Sequence, residues 1–208
     1  MDRRLFLWGL GNGAMMLALA GAFWIGLAIG MAAKQGVHWT VPAIGTLVQV
    51  GVGVALIWAA VRLRRRSGFQ RAELRQFTGI AKAQGRHIVR WMRWTVVAQT
   101  VVAGLLVWIC VKNQAEHLIW PSIGTVVSLH FIPLGRVFHV RAYYVLAILG
   151  TIACAIGFAT SGTLVGVVSL GLGMAAVMWG CAAYILSHAD RIAERACAEQ
   201  WAADPHAE

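Results

Sequence analysis

One histidine lies alone in the middle of a long apolar stretch and is the residue best placed to do chemistry. His130 occurs in the run Ser128-Leu129-His130-Phe131-Ile132-Pro133, ten positions after Trp120. At a rise of about 1.5 Å per residue, it falls near the centre of a bilayer. An ionisable group at that depth is costly and indicates a functional site. Imidazole changes charge near neutral pH, and Pro133 removes a helical hydrogen bond one turn earlier.

Three hypotheses follow for His130. The favoured one is a neutral imidazole that bonds to a glutamine, a serine or the freed carbonyl and locks the helices together. The second is a role in a proton or solute pathway. A metal or haem ligand is the least favoured of the three, because haem would need a second histidine at the same depth. Nucleophilic catalysis lacks a Ser–His–acid set at one depth, so no enzyme activity, metal or cofactor is expected.

Other polar residues fall at similar or neighbouring depths and could line the same pathway or polar core. They are Asn12, Gln49, Gln99, Ser128 and Ser169. Arg136 lies three residues beyond Pro133. It either gates the inner end of a pathway through His130 or extends its guanidinium to the inner headgroups, and we favour the second interpretation.

The elements that must hold these residues are membrane-spanning helices. Hydrophobic residues make up 59% of the 208 residues and charged ones only 12%, with a mean hydropathy of +0.68. A soluble domain carries about 25% charged residues. The apolar residues form six blocks long enough to cross a bilayer. We predict a single integral membrane domain over residues 1–208, an all-α bundle with helices at roughly 5–33, 41–63, 94–112, 117–138, 142–160 and 163–187.

Basic residues predict the orientation of the bundle. Of the 18 lysines and arginines, all but Lys34 and Lys112 fall on the side of the two termini. Because short loops rich in lysine and arginine stay in the cytoplasm, both termini are expected to be cytoplasmic in a bacterial inner membrane. The net charge of +10 is therefore a mark of topology, and binding to nucleic acid is not expected.

Tryptophans mark the predicted membrane interfaces. Trp39 and Trp120 fall at outer helix ends, whereas Trp91 and Trp94 fall at the inner end of the third helix. These are aromatic-belt positions, where the indole ring lies among the headgroups. Anchoring and packing are the favoured roles, and a tryptophan-lined binding site is the alternative.

An internal repeat relates the helices that run inward. The second begins Pro42-Ala43-Ile44-Gly45-Thr46 and the fourth begins Pro121-Ser122-Ile123-Gly124-Thr125, with a shorter match at Ser161-Gly162-Thr163. Gln49 and Ser128 are equivalent in this repeat. We predict three tandem helical hairpins in parallel repetition, at about 5–63, 94–138 and 142–187. A pseudo-threefold axis that relates the hairpins is one arrangement compatible with this repeat.

Several glycine pairs have GxxxG spacing, which places small residues on one helix face. They are Gly9/Gly13, Gly26/Gly30 and Gly162/Gly166. Packing within the chain is the favoured interpretation, and a homo-oligomer through these glycine faces is the alternative.

The linker between the second and third helices, residues 64–93, carries nine basic residues. Its apolar residues recur at helical spacing, which favours an amphipathic helix lying on anionic lipids of the cytoplasmic leaflet. The alternative is a solvated helix whose arginines only fix the topology. The segment 188–208 is expected to continue the sixth helix into the cytoplasm.

Two functions are compatible with this pattern. The first is a small-solute or proton-linked channel or transporter with His130 near its pathway. The second is a non-transporting scaffold or accessory membrane protein that packs with itself or with a partner. The two differ in whether water reaches His130.

Overall fold

The computed structural model describes residues 3–69, 80–138 and 140–202, and side chains at 80–89, 91, 92 and 199–202 lie outside its described part. This part of the chain is all-helical. Its helices are α1 (Arg3–Lys34), α2 (Thr40–Arg66), α3 (Ile80–Lys112), α4 (Ile119–Phe138), α5 (Arg141–Ala159), α6 (Leu164–Ser187) and α7 (Ala189–Ala202), with a 3₁₀ segment at Glu116–Leu118. Helices α1 to α6 are long and apolar enough to cross a membrane. The prediction of an all-α chain with six helices of spanning length is confirmed.

The third predicted span, 94–112, agrees with the described span Arg93–Lys112, although the helix that contains it is longer, and the end of the sixth helix differs from its prediction. Helix α3 begins at Ile80, so the last part of the predicted linker helix is continuous with the third spanning helix, because nothing between them breaks the helical pattern except a lone glycine. Residues 70–79 of that linker lie outside the described residues. Near the C-terminus, α6 ends at Ser187 and His188 separates it from α7, so the sixth helix does not continue as predicted. Helix α7 instead turns onto α1 and buries Ala189, Ala193 and Ala196.

The repeated helix starts have matching hydrogen bonds in α2 and α4. Thr46 Oγ1 donates to the carbonyl of Pro42, and Thr125 Oγ1 donates to the carbonyl of Pro121, both at 2.9 Å. Thr163 behaves differently, because it is the N-cap of α6 and accepts from the backbone N–H of Gly166 at 3.0 Å. The first two matches are thus alike in local structure, whereas the shorter third match is a capping motif.

The six spanning helices pack in the order α2–α1–α6–α5–α4–α3. Each predicted hairpin packs as a pair. A closed threefold ring would also need α2 to pack on α3, and these two helices make no extensive contact within the described residues. They are the ends of the series: 11% of the most apolar stretch of α2 and 6% of that of α3 is buried, against 28–39% in the other four helices. The parallel repetition itself stays a prediction.

The contact between α1 and α6 is the largest helix–helix contact of the bundle. The indole Nε1 of Trp179 donates to the carbonyl of Ala18 at 3.0 Å, and its ring lies against Gly21. A Cβ on Gly171 would lie 2.7 Å from the carbonyl oxygen of Trp24. Glycine therefore permits the two backbones to approach closely here, as is typical of helices packed in membranes.

In each GxxxG pair only one of the two glycines packs against another part of the chain. One member of each pair packs within the chain: Gly13 against the Tyr143 hydroxyl, Gly26 against Gln49 and Gly166 against the carbonyl of Thr160. Their partners have no heavy atom within 4 Å of the position a Cβ would take; they are Gly9, Gly30 and Gly162. Packing within the chain therefore accounts for half of these glycines, and the predicted homo-oligomer stays a prediction.

Candidate functional site

His130 lies in the middle of α4, three residues before Pro133, which the helix accommodates without ending. The imidazole is partly buried and lies edge-on to Phe131, with ring centroids 5.8 Å apart. Its Nδ1 is buried and has no hydrogen-bond partner. The expected bond to a glutamine, a serine or a carbonyl is thus not formed within the described residues. A buried polar atom without a hydrogen-bond partner lowers the stability of the folded state by about 1–3 kcal/mol. A ligand, a water or a rearranged side chain that bonded to this nitrogen would therefore gain that free energy.

The direction of His130 follows from helical geometry. Ser128 faces α5 and α6, and a step of two residues turns the helix by about 200°. His130 therefore points away from the interior of the bundle, toward the side of α4 that α3 covers. Helix α3 packs on α4 and on the 3₁₀ segment, so its less exposed residues are those that face α4.

Gln99 belongs to this α4-facing stripe of α3. The stripe recurs at three- and four-residue spacing and comprises Thr95, Gln99, Ala103, Leu106 and Cys110. Gln99 lies 13 residues before the end of α3 and His130 lies 11 residues after the start of α4. Because the two helices run in opposite directions, these offsets of about 20 Å and 17 Å put both residues at nearly the same depth. We call this position, defined by Gln99 and His130, the α3/α4 seam.

Ser128 belongs to a different environment. Its hydroxyl is fully buried and donates to the sulfur of Met174 at 3.8 Å. The thiol of Cys154 contacts the same sulfur at 3.8 Å, and Gly150 lies against the Ser128 side chain. This is a dry joint between α4, α5 and α6, which we call the sulfur joint, and it is separated from His130 by half a turn of α4.

Gln49 and Asn12 lie at the opposite side of the bundle from the seam. The amide of Gln49 donates to the carbonyl of Ala22 at 2.8 Å and ties α2 to α1. Asn12 is partly buried in the N-terminal half of α1. The polar residues predicted to share one core therefore do not form one cluster, and among those discussed only Gln99 falls on the helix next to His130 at a similar depth.

Arg136 is exposed near the C-terminal end of α4. Its exposed position and its distance of about 9 Å along the helix from His130 are compatible with the favoured interpretation, in which the guanidinium reaches the headgroups. Its role stays a prediction.

The tryptophans predicted as interface anchors have different environments. Trp39 and Trp94 are 72% and 67% exposed, as expected for lipid-facing anchors. Trp120 is partly buried and packs against Phe23, with ring centroids 6.2 Å apart. The side chain of Trp91 lies outside the described residues.

Two further tryptophans complete this pattern, and sequence analysis did not single them out. The ring of Trp58 in α2 lies 5.4 Å from the guanidinium carbon of Arg62, and that of Trp108 in α3 lies 5.0 Å from Nζ of Lys112. A basic residue four positions after a tryptophan near a helix end is a sequence pattern that could have predicted both pairs. Both tryptophans are about 60% exposed, so each of the spans Thr40–Arg66 and Arg93–Lys112 has one exposed indole near its start and another in its second half.

The seam has a limited range of chemistry. An amide and an imidazole at one depth can share a hydrogen bond or hold a water between them, and the imidazole can carry a proton. They provide no carboxylate to hold a cation. Comparisons with family models, with curated proteins and with solved structures find no match for this chain.

Proposed function

We propose that this protein is a non-transporting accessory or scaffold protein of the bacterial inner membrane, with both termini in the cytoplasm. The basic side chains on the terminus side of the chain support this orientation. The six apolar helices make it a multi-pass membrane protein.

The observation that carries this proposal is the filled interior of the bundle. Trp24, Cys154, Met174 and Met178 come from α1, α5 and α6 and are each at most 2% exposed. The sulfur joint adds Ser128 of α4. A solute pathway through the chain needs a polar, open route at this depth, and here the side chains pack as in a protein core. The bonds of Gln49 and Trp179 to backbone carbonyls of α1 likewise support a structural role for the polar residues.

Anionic lipids are the partner that we propose for the basic segment 64–93 of the sequence. Each lysine or arginine near an anionic leaflet contributes about 1 kcal/mol to binding. The continuity of α3 back to Ile80 supports a helix that leaves the membrane there with basic residues along it.

A labelling experiment tests the proposal. His130→Cys is made in a background in which Cys110, Cys154, Cys181 and Cys197 are replaced, and intact and inverted vesicles are treated with an impermeant thiol reagent. We expect no labelling from either side. Gln35→Cys, in the exposed connection after α1, is the positive control and should be labelled. Ser128→Cys, at a fully buried position, is the negative control and should not be labelled.

Transport is the second candidate, and the unpartnered Nδ1 of His130 is the observation that favours it. In this function water enters the α3/α4 seam and His130 relays protons. Proteoliposomes with a pH-sensitive dye would then show proton flux above that of empty liposomes, and His130→Ala would abolish it. Such a flux, together with labelling of His130→Cys, would overturn the accessory function.

A further inference from the structure

A cleft opens beside the inner ends of α1 and α2, away from the seam and from the sulfur joint. It has a volume of about 410 Å³ and is lined by Trp8, Val61, Arg64, Arg65, Gly68 and Phe69. Pockets for small ligands have volumes of about 300–1,000 Å³, so the cleft is large enough for a lipid headgroup. We call it the inner cleft.

The inner cleft is built by the turn that ends α2. The hydroxyl of Ser67 donates to the carbonyl of Arg64 at 2.6 Å and accepts from the N–H of Phe69 at 3.3 Å. Gly68 has a φ of +65°, which glycine adopts without strain. This turn directs Phe69 back onto Trp8, with ring centroids 5.8 Å apart, and Phe69 is 6% exposed. One wall of the cleft is therefore rigid and aromatic.

Arg64 is a cation without an acceptor in this cleft. Its guanidinium carbon lies 5.5 Å from the centre of the Trp8 ring, and its stem occupies the space that a side chain at position 11 would need, which the bare Gly11 leaves free. Its Nε is buried and has no partner, and its side chain makes no ion pair within the described residues. A guanidinium cannot lose its proton and offers five donors, so an anion is the ligand that would satisfy it.

The position of the cleft identifies the source of the anion. Arg64 lies six residues, or about 9 Å along α2, beyond Trp58 and two residues beyond its partner Arg62; this pair marks the inner interface. The cleft is therefore at headgroup level. Its lining combines two arginines with the apolar side chains of Trp8, Val61 and Phe69, which is the composition expected for a phosphate next to the start of an acyl chain.

We propose that the inner cleft binds the phosphate headgroup of one anionic phospholipid, held by Arg64 and Arg65 over the Trp8–Phe69 wall. This proposal does not depend on whether the protein transports; it rests on the proposed orientation only for the leaflet that supplies the lipid.

The test is native mass spectrometry of the full chain with added phosphatidylglycerol or phosphatidylcholine. We expect one tightly retained phosphatidylglycerol, and a dissociation constant that rises about fivefold in Arg64→Gln and about as much in Arg65→Gln. Arg62→Gln removes the same charge from the same helix but outside the cleft, and it should change the constant less than twofold.

Three results would overturn the proposal. Equal weakening by Arg62→Gln and Arg65→Gln would mean diffuse attraction to charge. Displacement of the lipid by millimolar inorganic phosphate would mean a site for soluble anions. Equal retention of phosphatidylcholine, whose phosphate is neutralised by choline, would mean that the net negative charge of the headgroup is not recognised. The stem of Arg64 packs on α1, so Arg64→Gln could disturb folding. In that case Arg65→Gln, at an exposed position, tests the proposal in the same assay.

Discussion

Replacing Gly150 by alanine tests the sulfur joint directly. A Cβ at position 150 would overlap the hydroxyl oxygen of Ser128 and would lie 3.1 Å from the Ser128 Cβ and 3.7 Å from the Met174 sulfur. All three groups are buried between α4, α5 and α6, so the new methyl group has no free space. We expect Gly150→Ala to destabilise the protein.

The size of the effect follows from two opposing terms. Forcing an additional methyl group into a packed core costs about 1–3 kcal/mol. Alanine in a helix is more favourable than glycine by about 0.5–1 kcal/mol. Gly180 in α6 has no heavy atom within 4 Å of its Cβ position, so Gly180→Ala should gain only the second term. The two variants should therefore differ by about 1–3 kcal/mol.

Thermal unfolding of the purified protein in detergent, followed by the fraction that stays monodisperse, measures this difference. For a chain of this length, 1 kcal/mol corresponds to about 2–4 °C in Tm. Gly150→Ala should unfold several degrees below the wild type and Gly180→Ala slightly above it. In the double variant Gly150→Ala/Ser128→Ala the overlapping oxygen is gone, and most of the loss should be restored.

Two results would refute this reasoning. If Gly150→Ala were as stable as Gly180→Ala, the helices would not approach as closely as described. If Ser128→Ala restored nothing, the loss would come from a contact other than the one with the Ser128 hydroxyl.

Three further predictions concern the same stability assay or its proteolytic counterpart. Gln49→Leu removes the bond between α2 and α1 and should cost about 0.5–1.5 kcal/mol; an unchanged Tm would show that this bond contributes nothing. Thr163→Ala removes the N-cap of α6 and should cost about 1 kcal/mol, whereas Thr46→Ala, whose hydroxyl bonds within its own helix, should change the Tm little; equal effects would contradict the difference between these two helix starts. Ala193→Leu should detach α7 from α1 and speed its cleavage by protease. Arg3→Ala removes the exposed ion pairs of Arg3 with Asp190 and Glu194 of α7 and should have little effect, because such pairs contribute only about 0–1 kcal/mol; the reverse order would mean that charge holds α7.

The spanning helices could be predicted from sequence because the bilayer imposes a length on each apolar block. The local structure at Thr46 and Thr125 could also be predicted, since a proline in the first turn and a threonine four residues later determine it within one helix. The start of the third span could also be predicted at residue 94, because the change from amphipathic to apolar pattern there marks the beginning of the span Arg93–Lys112, whereas the continuity of that span with the helix before it could not.

The neighbours of each helix could not be predicted from sequence. Helices in a membrane are not drawn together by the hydrophobic effect, so their order depends on close contacts between small groups. The contact of Gly171 with the Trp24 carbonyl and that of Gly21 with Trp179 are visible only in three dimensions. For the same reason, depth alone grouped His130 with Ser128 and Gln49, although each faces a different neighbour.

The central position of α6 has a consequence for the synthesis of this protein. The indole of Trp179 bonds to a carbonyl 161 residues earlier in the chain. At about 5–20 residues per second, α1 waits roughly 8–30 s in the membrane before α6 leaves the ribosome. During that interval the face of α1 around Gly21 and Trp24 lacks the α6 side chains that cover it in the folded chain. A nascent chain that stops before α6 therefore lacks the helix that joins its two halves, and it should be recognised by membrane quality control as an orphaned first hairpin.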